Sequence, residues 1–336
     1  MDHNPIVEFQ PVDKVFDQLN IGANPGFVAV ISARKVDLTG RIALHTGRAN
    51  VASGPGEVLA IVNGAQISEG GFTVFGLPSR DERGETNIAL SIEGMRNRLD
   101  FREAVDCVVS EFGVASLKGL TLRERALALI EIAHPEDRAG LVAAAKKENL
   151  LYRDQIYLAE SARCYPAHIN EHLRLKNGIE LRFRPIRPSD EEGMRRLFYR
   201  FSDKAVYDRY FTPVRVMPHT RMQTYVNVDW TSIMAIVGVV GKPGEGRLVA
   251  EARYLLDSTE KWAEVAFVVD EAYQNLGIST AAFKLLVRLA GERGLKGFWA
   301  DVLTSNTAML KVFEKAGLPV TKTLEGGVYH LTIPLI

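Results

Sequence analysis

The sequence predicts an α/β protein built on two cores, and three observations predict it. Its 336 residues are long for one compact domain and suit two. Strand-length apolar runs alternate with stretches of helical spacing along the whole chain. Between about 136 and 176 charge becomes dense and glycine scarce, and a fresh strand-and-helix pattern begins at Gly178. These observations divide the chain into an N-terminal domain over 1–147, a helical connector over 148–177 and a C-terminal domain over 178–336.

In the N-terminal domain, Phe27–Ser32, Val58–Val62, Thr73–Leu77 and Cys107–Ser110 read as buried strands, with glycine or polar turns between them. Leu122–Ala133 reads as a helix, because Leu122, Ala126, Leu129, Ile130 and Ala133 fall on one stripe. Thr121 before it and Glu124 three residues on form a capping box. His134-Pro135 ends that helix, since the residue before a proline avoids the helical region. Tyr165-Pro166 reads as a break within the connector.

The C-terminal domain opens with an alternating strand, Ile179–Ile186. Ser189 then reads as an N-cap with Glu192 as its partner, followed by Met194, Leu197, Phe198 and Phe201 at helical spacing. Ile233–Val240 and Leu248–Leu255 are strands flanking Lys242-Pro243-Gly244-Glu245-Gly246, a hairpin signal. Glu264–Val269 is a strand. Ile278–Arg293 is a helix with Ala282, Leu285, Leu286 and Leu289 on one face. Gly297–Leu303 is a strand, Thr307–Ala316 a short helix and Val320–Leu335 a hairpin around Gly326-Gly327.

Composition bounds the function. Apolar residues make up 46% and charged residues 24%, the balance of a soluble globular protein. Lysine plus arginine equals aspartate plus glutamate at 41 each. A net charge of zero argues against nucleic acid or an anionic membrane as partner. Two cysteines, Cys107 and Cys164, are too few for a disulfide framework. Met1–Phe9 has neither a basic start nor an apolar core, and no apolar run has the length to span a bilayer. The expected compartment is the cytoplasm.

The stretch Glu264–Thr280 carries chemistry. A strand runs into the turn Gln274-Asn275-Leu276-Gly277-Ile278-Ser279, which opens a helix. The first N–H groups of a helix lack internal partners, and its dipole makes that end electropositive, so such a turn suits a pyrophosphate. Gly277 lets the backbone approach closely. By itself this is equally a plain strand-to-helix turn.

The order of elements, with Gln274-x-x-Gly277-x-Ser279 and the Asn306 turn, resembles the GNAT acetyltransferase superfamily over Gly178–Ile336. The resemblance implies a mixed α/β GNAT domain with acetyl-CoA as cosubstrate and no metal. It implies that Gln274, Asn275, Leu276, Gly277, Ile278, Ser279 and Thr280 bind pyrophosphate. It also implies that Asn306 positions pantetheine and that backbone near Phe267, Val268 and Val269 holds the thioester and pantetheine amides. Two positions depart from the pattern. Ser279 stands where Gly or Ala is usual, and Phe313 stands where many relatives carry the tyrosine that protonates the leaving thiolate. Arg184–Asp190 and Asp203–Phe211 resemble bacterial protein lysine acetyltransferases. Glu264 sits where that group has its general base, which implies a protein lysine or small amine as acceptor. The chemistry agrees, because an ammonium must lose a proton before it attacks a thioester.

Over about residues 4–147, the blocks Asn4–Phe9, Asp37–Gly40, Ser53–Glu57, Glu111–Ala115 and Ala133–Pro135 resemble the C-terminal part of the acetyl-CoA hydrolase/transferase family. That implies an open α/β half domain of the CoA-transferase type. It also implies that Gly54, Gly56 and Glu57 form a loop whose N–H groups face a thioester oxygen, an oxyanion hole. The family's nucleophilic glutamate lies upstream of this region and has no counterpart here. The expectation is a natural remnant, one half of a split enzyme with a separate N-terminal half as partner, or a fragment of a longer fusion. Coenzyme A transfer needs the missing half. Coenzyme A transfer and acyl-CoA sensing without catalysis remain alternatives to acetyl transfer. His168-Ile169-Asn170-Glu171-His172 matches a zinc-peptidase pattern, but it follows a proline in a connector and lacks a third-ligand motif. The expectation is no metal.

Overall fold

The computed structural model describes residues 9–44, 56–95, 98–159, 161, 164–241, 246–257 and 261–335. It is α/β throughout and divides into two compact units, Met1–Arg153 and Asp154–Ile336.

The first unit runs α1 (Val12–Val15), α2 (Gln18–Gly22), β1 (Val28–Ser32), β2 (Lys35–Asp37), β3 (Ile42–Ala43), α3 (Gly56–Ile67), β4 (Phe72–Gly76), β5 (Ile88–Ala89), β6 (Arg98–Leu99), β7 (Cys107–Ser110), β8 (Gly113–Ser116), α4 (Leu122–Glu131) and α5 (Pro135–Lys147). One sheet has the order β1-β4-β7-β8 and a second β5-β2-β3-β6. In the first, β1, β4 and β7 are parallel and β8 returns antiparallel. The Thr121–Glu124 capping box is present: the Thr121 N–H donates to Glu124 Oε2 at 2.8 Å. Pro135 ends α4 and also starts α5, where it occupies the first turn and His134 caps it.

The strand expected at Val58–Val62 is instead part of helix α3. A five-residue apolar run has no period of its own, and Asn63-Gly64 after it reads locally as a turn, yet both residues lie inside the helix. Gly64 explains its packing. A Cβ there would lie 2.4 Å from Ile21, so the bare backbone is what lets α2 and α3 meet.

The second unit runs β9 (Glu171–Arg174), β10 (Glu180–Pro185), α6 (Glu191–Phe198), α7 (Asp203–Tyr210), α8 (His219–Val226), β11 (Ile233–Val240), β12 (Arg247–Leu256), β13 (Trp262–Val269), α9 (Ile278–Glu292), β14 (Gly297–Leu303), α10 (Thr307–Glu314), β15 (Thr321–Glu325) and β16 (Val328–Pro334). They form one eight-stranded sheet in the order β15-β16-β14-β13-β12-β11-β10-β9. Every neighbouring pair is antiparallel except β13 with β14. The strand β9 falls inside the expected helical connector. Its residues pair with Glu180–Phe183, so the sheet sets their conformation.

Two apolar layers cover this sheet. One packs α9 residues Ala282, Phe283, Leu286 and Leu289 against Val265, Phe267 and Phe298. The other packs Met194, Leu197, Phe198, Met222 and Val226 against Ala235, Val237 and Leu248. Ser189 is not the N-cap of α6. A 3₁₀ turn over Pro188–Asp190 comes first, and Asp190 is the N-cap residue. Arg184 fixes this choice by donating to both Asp190 oxygens at 2.7 Å, while Asp190 also accepts the Arg187 N–H at 2.8 Å. Among the described residues no helix is long and apolar enough to cross a membrane.

Candidate active site

The parallel pair β13/β14 creates the site. Its register runs from Trp262 opposite Gly297 to Glu264 opposite Trp299 and stops there. Beyond that rung β13 keeps its partner β12 as far as Val269, and β14 keeps β16 as far as Leu303. Two strands that separate while each stays paired on its outer side leave a wedge between them. The wedge is a cleft of about 290 Å³ bordered by Glu264–Phe267 and Ala300–Val302. Residues Asp208–Phe211, at the end of α7, close one mouth, and Asn306, Met309 and Phe313 of the α10 region close the other.

Alternation sets what each face presents. Val265 and Phe267 point into the α9 layer, whereas Glu264 and Ala266 are half-buried on the opposite face, toward α7. Three carboxylates border the cleft. Asp208 is paired with Lys204 at 2.9 Å, and Asp301 holds His330 Nδ1 at 2.6 Å. Glu264 borders the cleft and has no hydrogen-bonded or ionic partner among the described residues.

The turn after β13 has the geometry for an anion. Asn275 has φ +61° and Gly277 has φ +91°, both left-handed, so the backbone curls before α9 begins at Ile278. At Gly277 the requirement is conformational, because a Cβ would meet nothing within 4 Å yet the φ excludes ordinary side chains. Gln274, Asn275 and Gly277 are exposed, and Ser279 and Thr280 are half-exposed in the first turn of a fifteen-residue helix. The Ile278 side chain is buried in the core, which leaves only its backbone for a ligand. Asp270 braces the base of the turn. It accepts from Arg200 Nε at 2.7 Å, Arg247 Nη2 at 3.1 Å and the Ala272 N–H at 3.1 Å.

Asn306 caps α10, its Oδ1 accepting the Met309 N–H at 3.1 Å, and still borders the cleft. Phe313 is buried against Phe267 and Phe283, with ring centroids 5.4 and 5.0 Å away, and puts an apolar wall where a hydroxyl would serve as acid. In the first unit Gly54 lies outside the described residues. Gly56 and Glu57 form the first turn of α3, with Glu57 exposed. The zinc-like pattern falls apart, since His168 lies in a turn and Glu171-His172 on β9, so no helix face gathers them. Glu171 instead forms an ion pair with Arg288.

Sequence reading missed a polar cluster beside the cleft. Arg209 Nη2 donates to the Tyr225 hydroxyl at 3.0 Å, which donates to Glu251 Oε2 at 2.9 Å. Arg253 Nε donates to Glu251 Oε1 at 2.5 Å, and its guanidinium lies 3.4 Å over the Tyr225 ring. Burial raises the Tyr210 and Tyr225 hydroxyls above the ordinary phenol range, so both stay protonated. The one signal in the sequence was the pair Glu251 and Arg253, two apart on a strand and therefore on one face.

Comparison with known proteins identifies both units. Residues 1–145 match the acetyl-CoA hydrolase/transferase C-terminal domain, and residues 180–319 match the acetyltransferase (GNAT) domain. The chain joins these two domains. Its first half is 38% identical over 148 residues to 4-hydroxybutyrate coenzyme A transferase of Clostridium kluyveri, covering 44% of this chain and 34% of that protein. The chain thus spans about a third of the length of the curated coenzyme A transferases it matches. The GNAT domain resembles Pat acetyltransferases. It is 30% identical over 146 residues to acetyltransferase Pat of Mycolicibacterium smegmatis, covering 43% of each protein. A crystal structure of the GNAT domain of S. lividans PAT has 30% identity, covers 51% of this chain and 99% of that one, and superposes with a TM-score of 0.47.

Proposed function

We propose that the GNAT domain transfers the acetyl group of acetyl-CoA to the side-chain amine of a protein lysine. The observation that carries the reading is the β13/β14 fork, with the unpartnered Glu264 carboxylate at its apex and a cleft bordered by the end of α7 and by the α10 region. Acetyl-CoA enters from the α10 side. Backbone of Gln274–Thr280 binds its pyrophosphate at the α9 N-terminus, and Asn306 steers the pantetheine arm. The unpaired edge of β13 at Phe267–Val269 holds the pantetheine amides and the thioester carbonyl. The acceptor amine enters from the α7 side. Glu264 takes its proton, directly or through one water, and the free amine attacks the thioester carbon. The likeness to Pat supports acetyl transfer, and the resemblance of Asp203–Phe211, whose last four residues border the cleft, to bacterial protein lysine acetyltransferases supports a protein lysine over a small amine. With Phe313 in the wall, the departing thiolate receives through water the second proton, which the nitrogen loses as the amide forms.

We assign coenzyme A binding by the first domain to Gly54, Gly56 and Glu57, and coenzyme A transfer to an assembly that includes the family's N-terminal half. The likeness to C-terminal thirds of coenzyme A transferases supports this. The domain limits proposed are 1–147, 148–177 and 178–336, and the compartment is the cytoplasm. One experiment tests the leading reading: the purified chain, acetyl-CoA and a lysine peptide, followed by mass spectrometry. A gain of one acetyl group on the lysine is expected, and an unmodified peptide with acetyl-CoA shown to be bound sinks it. Acetyl-CoA:carboxylate exchange by the chain alone would sink the assignment of that reaction to such an assembly.

A further inference from the structure

The cluster beside the cleft is electrically unbalanced. Two guanidiniums, Arg209 and Arg253, share one buried carboxylate, Glu251. Both Glu251 oxygens are taken, one by Arg253 Nε at 2.5 Å and the other by the Tyr225 hydroxyl at 2.9 Å. Arg209 reaches that carboxylate only through the Tyr225 oxygen, at 3.0 Å. Its Nε is buried with no partner, and no carboxylate among the described residues lies within 4.0 Å of it. A guanidinium cannot shed its proton, so Arg209 keeps its charge; Glu251 favours that charge from a distance and the Tyr210 ring faces it at 5.2 Å, but no carboxylate among the described residues contacts it directly. Tyr210 and Tyr225 stay neutral beside it and contribute no negative charge. Arg209 also borders the cleft, on the same side as Glu264 and Asp301. Asp301 is already held by His330, and Glu264 is unpaired but out of ion-pair range of Arg209.

We propose that Arg209 is a carboxylate-binding residue of the cleft, and that the substrate brings the anion the cluster lacks. A guanidinium edge presents two parallel N–H donors that match the two oxygens of a carboxylate. The carboxylate has two possible sources. It ends the acyl group, as in succinyl-CoA, or it belongs to the acceptor, as an acidic side chain next to the target lysine. The inference rests on the acyltransferase reading of the cleft, and its test is read by binding, which needs no turnover.

The full chain is titrated calorimetrically with succinyl-CoA and with 4-methylpentanoyl-CoA, its uncharged isostere. In a second arm, fluorescent lysine peptides with a Glu or a Gln neighbour are titrated in the presence of coenzyme A. In one arm the carboxylate ligand should bind about tenfold to a hundredfold tighter, the range for hydrogen bonds to charged groups. The arm with the preference identifies the source. Arg209→Gln should bring that ratio down toward one. Should this variant fail to fold, Arg209→Lys keeps the charge but loses the fork, and its ratio should fall part-way. Equal affinities within both arms of the wild-type protein, or a ratio unchanged in the variants, overturn the proposal. Absence of acetyl transfer alone would count against the proposed reaction and leave these binding ratios to decide the role of Arg209.

Discussion

Glu264 lies opposite Trp299 on the last rung that joins β13 to β14, and the strands part beyond it. The carboxylate therefore sits at the apex of the wedge, where the acyl group and the amine must meet if one enters from each face. Trp299 faces the same side of the sheet, more than a third exposed, and forms the outer shoulder of that apex. In the proposed reaction a base at that point reaches the reacting nitrogen and has no ion pair to break before accepting its proton.

Glu264→Gln keeps size and most hydrogen bonding but removes the proton acceptor. The turnover number for acetylation should fall by about 10²–10⁴-fold, while the acetyl-CoA dissociation constant changes little. The deficit should shrink as pH rises and more of the amine is already deprotonated. Steady-state rates across pH check this. A deficit under about tenfold at neutral pH, with chemistry rate-limiting, would remove Glu264 as the base.

Gly277→Ala forces an L-residue to φ +91° at the start of α9. The strain should cost roughly 1–2 kcal/mol in urea unfolding. It should also weaken acetyl-CoA binding, because the turn that aims the first N–H groups of α9 would shift. Gly326→Ala, in the β15/β16 turn with φ +55°, should carry the strain but leave acetyl-CoA affinity unchanged. Equal affinity losses in the two variants would count against the turn as the pyrophosphate site.

Much of this architecture was legible in the sequence because local signals and tertiary packing agree. β11 and β14 have the bounds their apolar runs imply, and the Thr121–Glu124 box forms as its spacing implies. The misreadings have specific physical origins. Val58–Val62 is too short to reveal a helical period, and its conformation follows from the approach of α2 at Gly64. Ser189 lost the N-cap position to Asp190, drawn by Arg184 from the preceding strand, a partnership no local rule anticipates. At the site, the fork could be inferred only through family resemblance, since nothing in the residues of β13 or β14 says where their pairing ends. The Arg209–Tyr225–Glu251–Arg253 cluster draws on three elements, so no single stretch of sequence contains it.

Asp270 makes a pH-dependent contribution to stability. Burial alone would raise its carboxyl, but the Arg200 side chain, the Ala272 N–H and Arg247 together hold it below the ordinary carboxylate value. A folded-state value below the unfolded one means the contribution is complete above the unfolded value of about 3.9. It is lost as pH falls through the depressed folded value. Asp270→Asn should therefore destabilise the protein near neutrality by about 1.5–3 kcal/mol, the range for hydrogen bonds to charged groups, because Arg200 and Arg247 keep partial access to water. It should also flatten the acid limb of a stability-versus-pH curve. A variant with the wild-type slope below about pH 4 would show that other carboxylates control acid unfolding.

Tyr225→Phe deletes one oxygen that serves two charged groups. The Tyr225 hydroxyl accepts from Arg209 and donates to Glu251, which is 1% exposed. The deletion leaves Glu251 Oε2 without its donor and Arg209 Nη2 without its acceptor, in a place from which water is largely excluded. The loss should exceed the usual 0.5–1.5 kcal/mol of a neutral hydrogen bond and fall nearer 1.5–3 kcal/mol, because both partners are charged. The ring itself stays, so its stacking under the Arg253 guanidinium at 3.4 Å should survive and limit the damage. Glu251→Gln alone should cost more, since it leaves Arg253 and Arg209 both uncompensated. Combined, the two substitutions should cost less than the sum of their separate effects, because each removes part of the same chain of contacts. Urea unfolding of the wild type, both single variants and the double variant measures that coupling. Strict additivity within about 0.3–0.5 kcal/mol would mean that Tyr225 and Glu251 act independently and that no relay joins Arg209 to the buried carboxylate.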